Sequence, residues 1–436
     1  MDIHRLKQIA PERLRQILHR SRAEVFDAER VGHVGAIVED VRRRGDDAIV
    51  EYTQRYDGVA LSPDRIQVDR QEVRRAYEAV DDGLRAALTA SIDRARRYNE
   101  WLRPAGLQLE EMESGLTVGV KYAPVERVGV YIPSGKGAFP STLITLVTPA
   151  IVAGVAEIAV VLPPRRDGGV DPAVLVAADL LGVSQVYRCN GVAGIAGLAF
   201  GTRTIPRVEL LGGPGNPYVT AAQIAVQSYG VRLLSVLGPT ESMILADESA
   251  DPDRLALDLL NEAEHGADSA AILITTSEAL AAEVKERLPA YLQRLPAQRR
   301  EFAESALSRY GGALIVDTLD EAVAFINLYA PEHLQIATRD PYATVPLIRN
   351  AGEILLGQDT PFSAGNYAIG VPAALPTSGF ARVASGVTVL SYLKTTSVAC
   401  LSPEGLERVR PVIERLGRYE DFPAHVLAVE ARKGSV

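Results

Sequence analysis

The alternation of short apolar runs with helix-length segments, beginning near residue 126, constrains this chain more than any other feature. VGVYIPSG reads as a strand entering a turn, STLITLVTPAIVAG as a helix, and EIAVVLPP as a strand. PAVLVAADLLG, QVYRCNG, GIAGLAFGT, VELLGG and NPYVTAAQIAVQSYG continue the same order. Strand-then-helix units in succession predict a parallel sheet with helices on both faces, because each crossover must return the chain to the same sheet edge. After VRLLSVLGPTE the alternation resumes: SMILAD, DPDRLALDLLNEAEHG, AAILITTS, two helices, GALIVD, EAVAFINLYA, HLQIAT and EILLG. The fold class is α/β, with two such units.

The flanks read differently. Residues 1–27 suggest a helical arm with an apolar stripe of Ile9, Leu14, Ile17 and Leu18. Residues 30–130 read as helix-rich, and the tail from 388 as mixed, with a helix in SPEGLERVRPVIERLGRYEDF. At 436 residues the chain exceeds one ordinary core. A net charge of −9 without a basic block argues against nucleic acid or an anionic membrane as partner. Cys189 and Cys400 form no CxxC pattern, which suggests a reducing, cytoplasmic setting. The first residues lack the apolar core of a secretory signal. Leu143 to Leu162 imitates a membrane span, but Pro149, Gly154 and Glu157 divide it into a helix and a strand.

Candidate chemistry centres on Glu332 and His333 in YAPEHLQIAT. Pro331 forces Ala330 out of helical geometry, so the preceding helix stops there and the pair falls in a turn before a strand, exposed enough to meet a ligand. A carboxylate beside an imidazole provides two proton carriers of different basicity. The bland alternative is a polar surface turn. Glu262 and His265 are three apart at the end of one helix, the spacing that presents two ligands to one metal. Gly266 as a helix cap, with a histidine favoured by the helix dipole, explains the same residues without a metal. His425 follows Glu420 and Asp421 with no fixed geometry, and SAGNYAIG surrounds Asn366 and Tyr367 with turn residues. Two glycine loops follow strands: Tyr131 to Gly137, including Lys136, and Gly212-Gly213-Pro214-Gly215-Asn216. The first looks like a phosphate loop but fits neither a P-loop nor the GxGxxG fingerprint; at the second, backbone N–H groups and the helix N-terminus could hold an anion or a dinucleotide, and together the loops mark one edge of the first sheet as a ligand crevice.

Taken together, VGVYIPSG, PSTLI, LLGGPGNPYVTAA, GPTE, LLNEAEHGADS, LYAPEHLQI, SAGNYAIG, ALPT, SGVTVLSYLKTTS and EDFPAHVLAV resemble the histidinol dehydrogenase family, in family order across nearly the whole chain. The resemblance implies oxidation of L-histidinol to L-histidine in two NAD-dependent steps, through an aldehyde, by a zinc-containing homodimer whose subunits share active sites. It implies two incomplete Rossmann-like domains: 28–130 with 242–387, carrying Glu332, His333 and most metal positions, and 131–241 on the NAD side. Residues 1–27 would be an N-terminal arm, and 388–436 a tail domain reaching the partner. Carried over residue by residue, Glu332 activates water and His333 takes the alcohol proton. The metal falls on Glu262, His265, Asn366 and His425. Substrate contacts fall on these four, on His333, and on Thr240, Tyr367 and Glu420. Cofactor contacts fall on Tyr131, Ala193 and Asn216. The partners are a small alcohol and a second subunit, with no nucleic acid and no membrane.

The sequence departs from the family at four places. The first metal ligand, usually Gln, is Glu262, and the third, usually Asp, is Asn366. The two changes are isosteric and opposite in charge, leaving an oxygen and nitrogen set that suits zinc, with manganese or cobalt as alternatives. A cofactor-contacting Gln is Ala193, losing an amide hydrogen bond worth about 0.5–1.5 kcal/mol. The family's Asn-His before x-Leu-Pro-Thr is Pro372-Ala373. A paralogue oxidising another amino alcohol or a sulfopolyol is therefore the alternative, although Glu420 favours a cationic amine over a sulfonate. A metal-binding or assembly protein without catalysis is a third reading, opposed by the intact Glu332–His333 pair.

Overall fold

The computed structural model describes residues 1–19, 27–135, 137–236 and 238–432. Lys136 of the first glycine loop, residues 20–26 of the expected arm and the last four tail residues lie outside the described residues. Contacts divide the chain into two units: Met1–Leu102 with Glu126–Tyr392, and Arg103–Val125 with Leu393–Val436.

The first unit holds two parallel sheets. The six-stranded sheet comprises β1 (Ile3–Arg5), β9 (Glu241–Ala246), β10 (Ala270–Thr275), β11 (Gly312–Ile315), β12 (His333–Ala337) and β13 (Glu353–Leu356). Their spatial order is β1-β11-β10-β9-β12-β13, every neighbouring pair parallel. The five-stranded sheet comprises β4 (Arg127–Tyr131), β5 (Glu157–Leu162), β6 (Gln185–Arg188), β7 (Leu210–Gly212) and β8 (Arg232–Leu233). Its order is β6-β5-β4-β7-β8, also wholly parallel. The α/β reading with two parallel sheets thus stands.

Both faces of the six-stranded sheet are covered, which explains its unbroken apolar runs. Met243, Leu245, Ile272, Ile274, Leu334 and Ile336 pack on one side with Phe325, Ile326 and Ile17. Ile244, Leu273, Ala313, Ala337 and Leu355 pack on the other with Leu255 and Leu259 of the helix Pro252–Ala263. Side chains alternate along a strand, so His333 and Gln335 share the face of Ala337 and look toward that helix. Gln335 confirms the placement, donating from Nε2 to Asp258 Oδ2 at 2.9 Å. The helix Ala28–Arg44 packs Val34, Ile37, Val38 and Val41 into the core of the five-stranded sheet.

The flanks correct the sequence reading in two places. The N-terminal arm is not wholly helical: β1 adds an edge strand beside β11 before the helix Pro11–His19. The stretch read as helix-rich does carry the helices Ala28–Arg44, Asp46–Asp57, Arg70–Ala79 and Asp82–Leu102, but it ends in β2 (Leu107–Glu113) and β3 (Leu116–Pro124), which join β14 (Leu393–Leu401) in an antiparallel sheet of the second unit. All seven residues of β2 are exposed, so no buried face imposed an apolar alternation on its sequence. The tail helix spans Pro403–Tyr419 and a further one Pro423–Glu430. The apolar stretch after Leu143 is the helix Pro140–Ala153 followed by β5, and among the described residues no helix is long and apolar enough to cross a membrane.

Candidate active site

The helix Leu319–Tyr329 ends at Ala330, whose backbone sits in the left-handed region at φ 55°. A non-glycine residue there costs about 1–2 kcal/mol, and Pro331 has already removed the helical option. The chain then turns sharply into β12. Glu332 and His333 are not an exposed turn, as the sequence suggested. They are 7% and 2% exposed, and His333 is the first strand residue. Parallel register sets His333 between Ser242 of β9 and Glu353 of β13.

This register collects carboxylates around one imidazole. Glu332 Oε2 accepts the Glu241 N–H at 2.9 Å, while Oε1 lies 3.6 Å from His333 Nε2. His333 Nδ1 meets Glu353 Oε1 at 2.5 Å. Glu241 is itself buried and accepts the Ser378 N–H at 2.8 Å. Burial pushes the Glu332 carboxyl up to about 8, against the pull of His333 and of the Glu241 N–H. Burial alone would depress His333, but Glu332, Glu262 and Glu353 outweigh it and raise the imidazole to about 10. The pair therefore titrates on the alkaline side of neutrality, where it can trade protons with an alcohol or a water.

The metal candidates lie on the same side. The helix carrying Glu262 ends at Ala263, two residues sooner than the sequence suggested, so His265 falls in the turn beyond it. His265 Nε2 is still 3.5 Å from Glu262 Oε2. Glu262 is 1% exposed, and its Oε1 accepts the Asn366 amide at 2.7 Å. Its Oε2 is buried with no hydrogen-bond partner. A bare buried carboxylate oxygen is costly, about 1–3 kcal/mol or more, and a cation would satisfy it. Among the described residues no group of three or more His, Cys, Asp or Glu is placed to hold a metal ion. Here the third donor is an amide: with Nδ2 committed to Glu262, Asn366 keeps its carbonyl oxygen. Glu262 Oε2, the His265 imidazole and Asn366 Oδ1 are an oxygen and nitrogen set that fits zinc chemically.

The remaining candidates divide by location. Thr240 immediately precedes β9, its carbonyl bonded to the Ala270 N–H. Tyr367, half exposed, closes the short helix Phe362–Tyr367, and its phenol is raised by desolvation first and then by Glu262 and Glu264. Glu420 and His425 belong to the second unit, where both are exposed and His425 lies against Phe422. Tyr131 ends β4 in a buried position, its phenol raised by burial and then by Asp57 and Cys189. A Cβ on Gly213 would stand 1.9 Å from the Tyr131 carbonyl oxygen, so only glycine lets the second loop pass this strand end. Asn216 caps the helix Pro217–Val226, accepting the Tyr218 and Val219 N–H groups. Ala193 is fully buried in the first turn of the helix Gly191–Phe200, its N–H capped by Asn190.

The sequence pattern of the family described as histidinol dehydrogenase matches residues 20–433. A histidinol dehydrogenase of Synechocystis sp. is 42% identical over 99% of both chains. A histidinol dehydrogenase homolog of Colwellia psychrerythraea is 40% identical over 98% of this chain and 96% of its own. The crystal structure of histidinol dehydrogenase from Elizabethkingia anophelis superposes with a TM-score of 0.91 at 32% identity, covering 100% of this chain and 98% of that one. The chain belongs to the histidinol dehydrogenase family.

It is thus an oxidoreductase of the histidinol dehydrogenase type. Within that family, the contact between Glu262 and Asn366 gives the double departure a physical form. The two positions that the sequence reading took as departures from the family pattern are hydrogen-bonded to each other, Asn366 donating and Glu262 accepting. Sequence reasoning missed Glu241 and Glu353. Each opens a strand that is otherwise almost wholly apolar, Ser242 being the exception, and a charge at the head of a buried strand was the available signal.

Proposed function

We propose that this enzyme oxidises L-histidinol to L-histidine through histidinaldehyde, using NAD in two hydride transfers, at the end of histidine biosynthesis. The observation that supports this most directly is the buried Glu332–His333 pair, held beside the bare carboxylate oxygen of Glu262. Bound at these residues, a zinc ion would polarise the alcohol, and a nicotinamide at Tyr131 and Asn216 would accept hydride. His333 Nε2 takes the proton of the alcohol as its carbon is oxidised. Glu332 then takes a proton from the water that adds to the aldehyde, so that the hydrate can be oxidised in turn. A thiol route through Cys189 has no support, because that thiol is buried and pushed far up by its burial. Glu262, His265 and Asn366 would hold the metal, with His425 completing the donor set in a homodimer, where Glu420 would pair with the substrate's ammonium group.

The test is to incubate purified protein with NAD and L-histidinol while counting NADH and bound metal. Two NADH per substrate and about one zinc per subunit are expected. A metal-free dimer with full activity would refute the metal assignment. A second reading, oxidation of another amino alcohol or sulfopolyol, is favoured by Ala193 and Pro372-Ala373, where polar family contacts are missing. Absence of NADH with L-histidinol, beside turnover of another alcohol, would establish it.

A further inference from the structure

The roles carried over from the family leave Glu353 without one, yet it makes the closest polar contact in the site to the working imidazole. Its side chain is 5% exposed. A buried carboxylate costs several kcal/mol unless something holds it. Oε1 meets His333 Nδ1 at 2.5 Å, while Oε2 is buried with no hydrogen-bond partner. A carboxylate serving only to tie the fold together would normally bind backbone N–H groups through both oxygens. The position is also built around it. Register places Glu353 directly opposite His333. A Cβ on Gly365 would come within 3.0 Å of Oε2 and 3.1 Å of Oε1, so glycine leaves the carboxylate its room. Phe362 presents its ring edge-on to the imidazole at 5.9 Å between centroids. These contacts leave the other ring nitrogen, Nε2, 3.6 Å from Glu332 Oε1, too far for a hydrogen bond and open to a reactant.

We propose that Glu353 is the positioning residue for His333: it accepts a hydrogen bond from Nδ1–H, fixes the ring and its tautomer, and so directs Nε2 alone at the substrate alcohol. This rests on the reading of His333 as the base. The proton count follows. The alcohol O–H breaks and its proton moves to Nε2, the carbon's hydride passes to the nicotinamide, and the Nδ1 proton stays on the ring beside an ionised Glu353. The resulting imidazolium is stabilised where it forms, as an orienting carboxylate does for a catalytic histidine elsewhere.

The experiment compares Glu353→Gln, Glu353→Ala and His333→Asn in the metal-loaded enzyme, with the alcohol that wild type turns over. kcat, KM, bound metal and melting temperature are measured for each. Glu353→Gln keeps the volume but offers an amide, which can turn the ring to the wrong tautomer. Both Glu353 variants are expected to lower kcat by about 10²–10⁴-fold, by analogy with orienting carboxylates. KM and metal content should stay within about twofold. Wild-type kcat in folded Glu353→Gln, with His333→Asn inactive, would overturn the role of Glu353 alone. Altered melting temperature with kcat per folded molecule unchanged would make Glu353 a structural residue and overturn it too. Wild-type turnover by His333→Asn would instead overturn the underlying assignment of the base.

Discussion

In the five-stranded sheet the candidate residue Tyr131 closes β4 and Asn216 lies beyond the carboxyl end of β7, whereas in the six-stranded sheet Glu241, His333 and Glu353 open their strands and Glu332 immediately precedes β12. The difference follows from how parallel sheets are wound. Crossover helices run back against the strands, so their N-termini face the strands' carboxyl ends and their C-termini face the amino ends. The carboxyl edge therefore collects free N–H groups and glycine turns, which suit phosphates. The amino edge collects helix C-termini, whose partial negative charge suits a cation. Glu262, in the last turn of its helix, adds a full charge at that end. The carboxyl edge of one sheet thus offers backbone N–H groups and the amino edge of the other offers carboxylates, which matches the anionic cofactor proposed for the first and the metal and cationic substrate proposed for the second.

Breaking the amino edge should produce the largest effects. His333→Asn is expected to lower kcat about 10²–10⁴-fold, the usual contribution of a positioned base, while leaving NAD affinity measured by titration unchanged. Parallel loss of NAD binding would mean that the two edges are not separable in this way. Next in size is the exchanged pair. Glu262→Gln and Asn366→Asp should each weaken metal affinity about 10–100-fold, as loss of a ligand or of its hydrogen-bonding partner does. The double variant should recover much of it, because it restores one carboxylate and one amide at 2.7 Å. Additive losses in a competitive chelator titration would show that the two residues do not act as a unit.

A smaller, graded effect comes from pH. The ionised Glu332 is the working form, and its carboxyl is raised to about 8. His333, which burial would lower but Glu332, Glu262 and Glu353 raise further still, must also be neutral to act as a base, so aldehyde oxidation should rise with pH through the alkaline range. Zinc should draw the limb to lower pH, since Glu262 is among the charges that hold the Glu332 proton. A profile of aldehyde oxidation that is flat from pH 6 to 9 would contradict this. The smallest effect belongs to the other edge. Asn216→Ala removes the helix cap and should cost about 1 kcal/mol in denaturant unfolding, with weaker NAD binding and unchanged metal content.

What the sequence made legible tracks how local each signal is. The strand-helix alternation fixes the two parallel sheets, because buried parallel strands must be continuously apolar. Glu332 and His333 stand out because Pro331 marks the end of a helix two residues ahead of an apolar run. Glu353 could not be connected to them from sequence, since their contact depends on β13 pairing with β12 in one register. The bond between Glu262 and Asn366 spans 104 positions and is visible only once the helices Pro252–Ala263 and Phe362–Tyr367 are folded together. β1 is three residues long, and β2 buries neither face, so neither carries a pattern strong enough to read.

The division of labour within the pair is tested most directly by product analysis of Glu332→Gln with NAD and L-histidinol. If Glu332 activates the water, His333 still takes the alcohol's proton while NAD takes its hydride. One NADH should then appear per substrate, and trapped histidinaldehyde should accumulate in place of histidine. Two NADH and histidine formed at the wild-type rate would contradict the account.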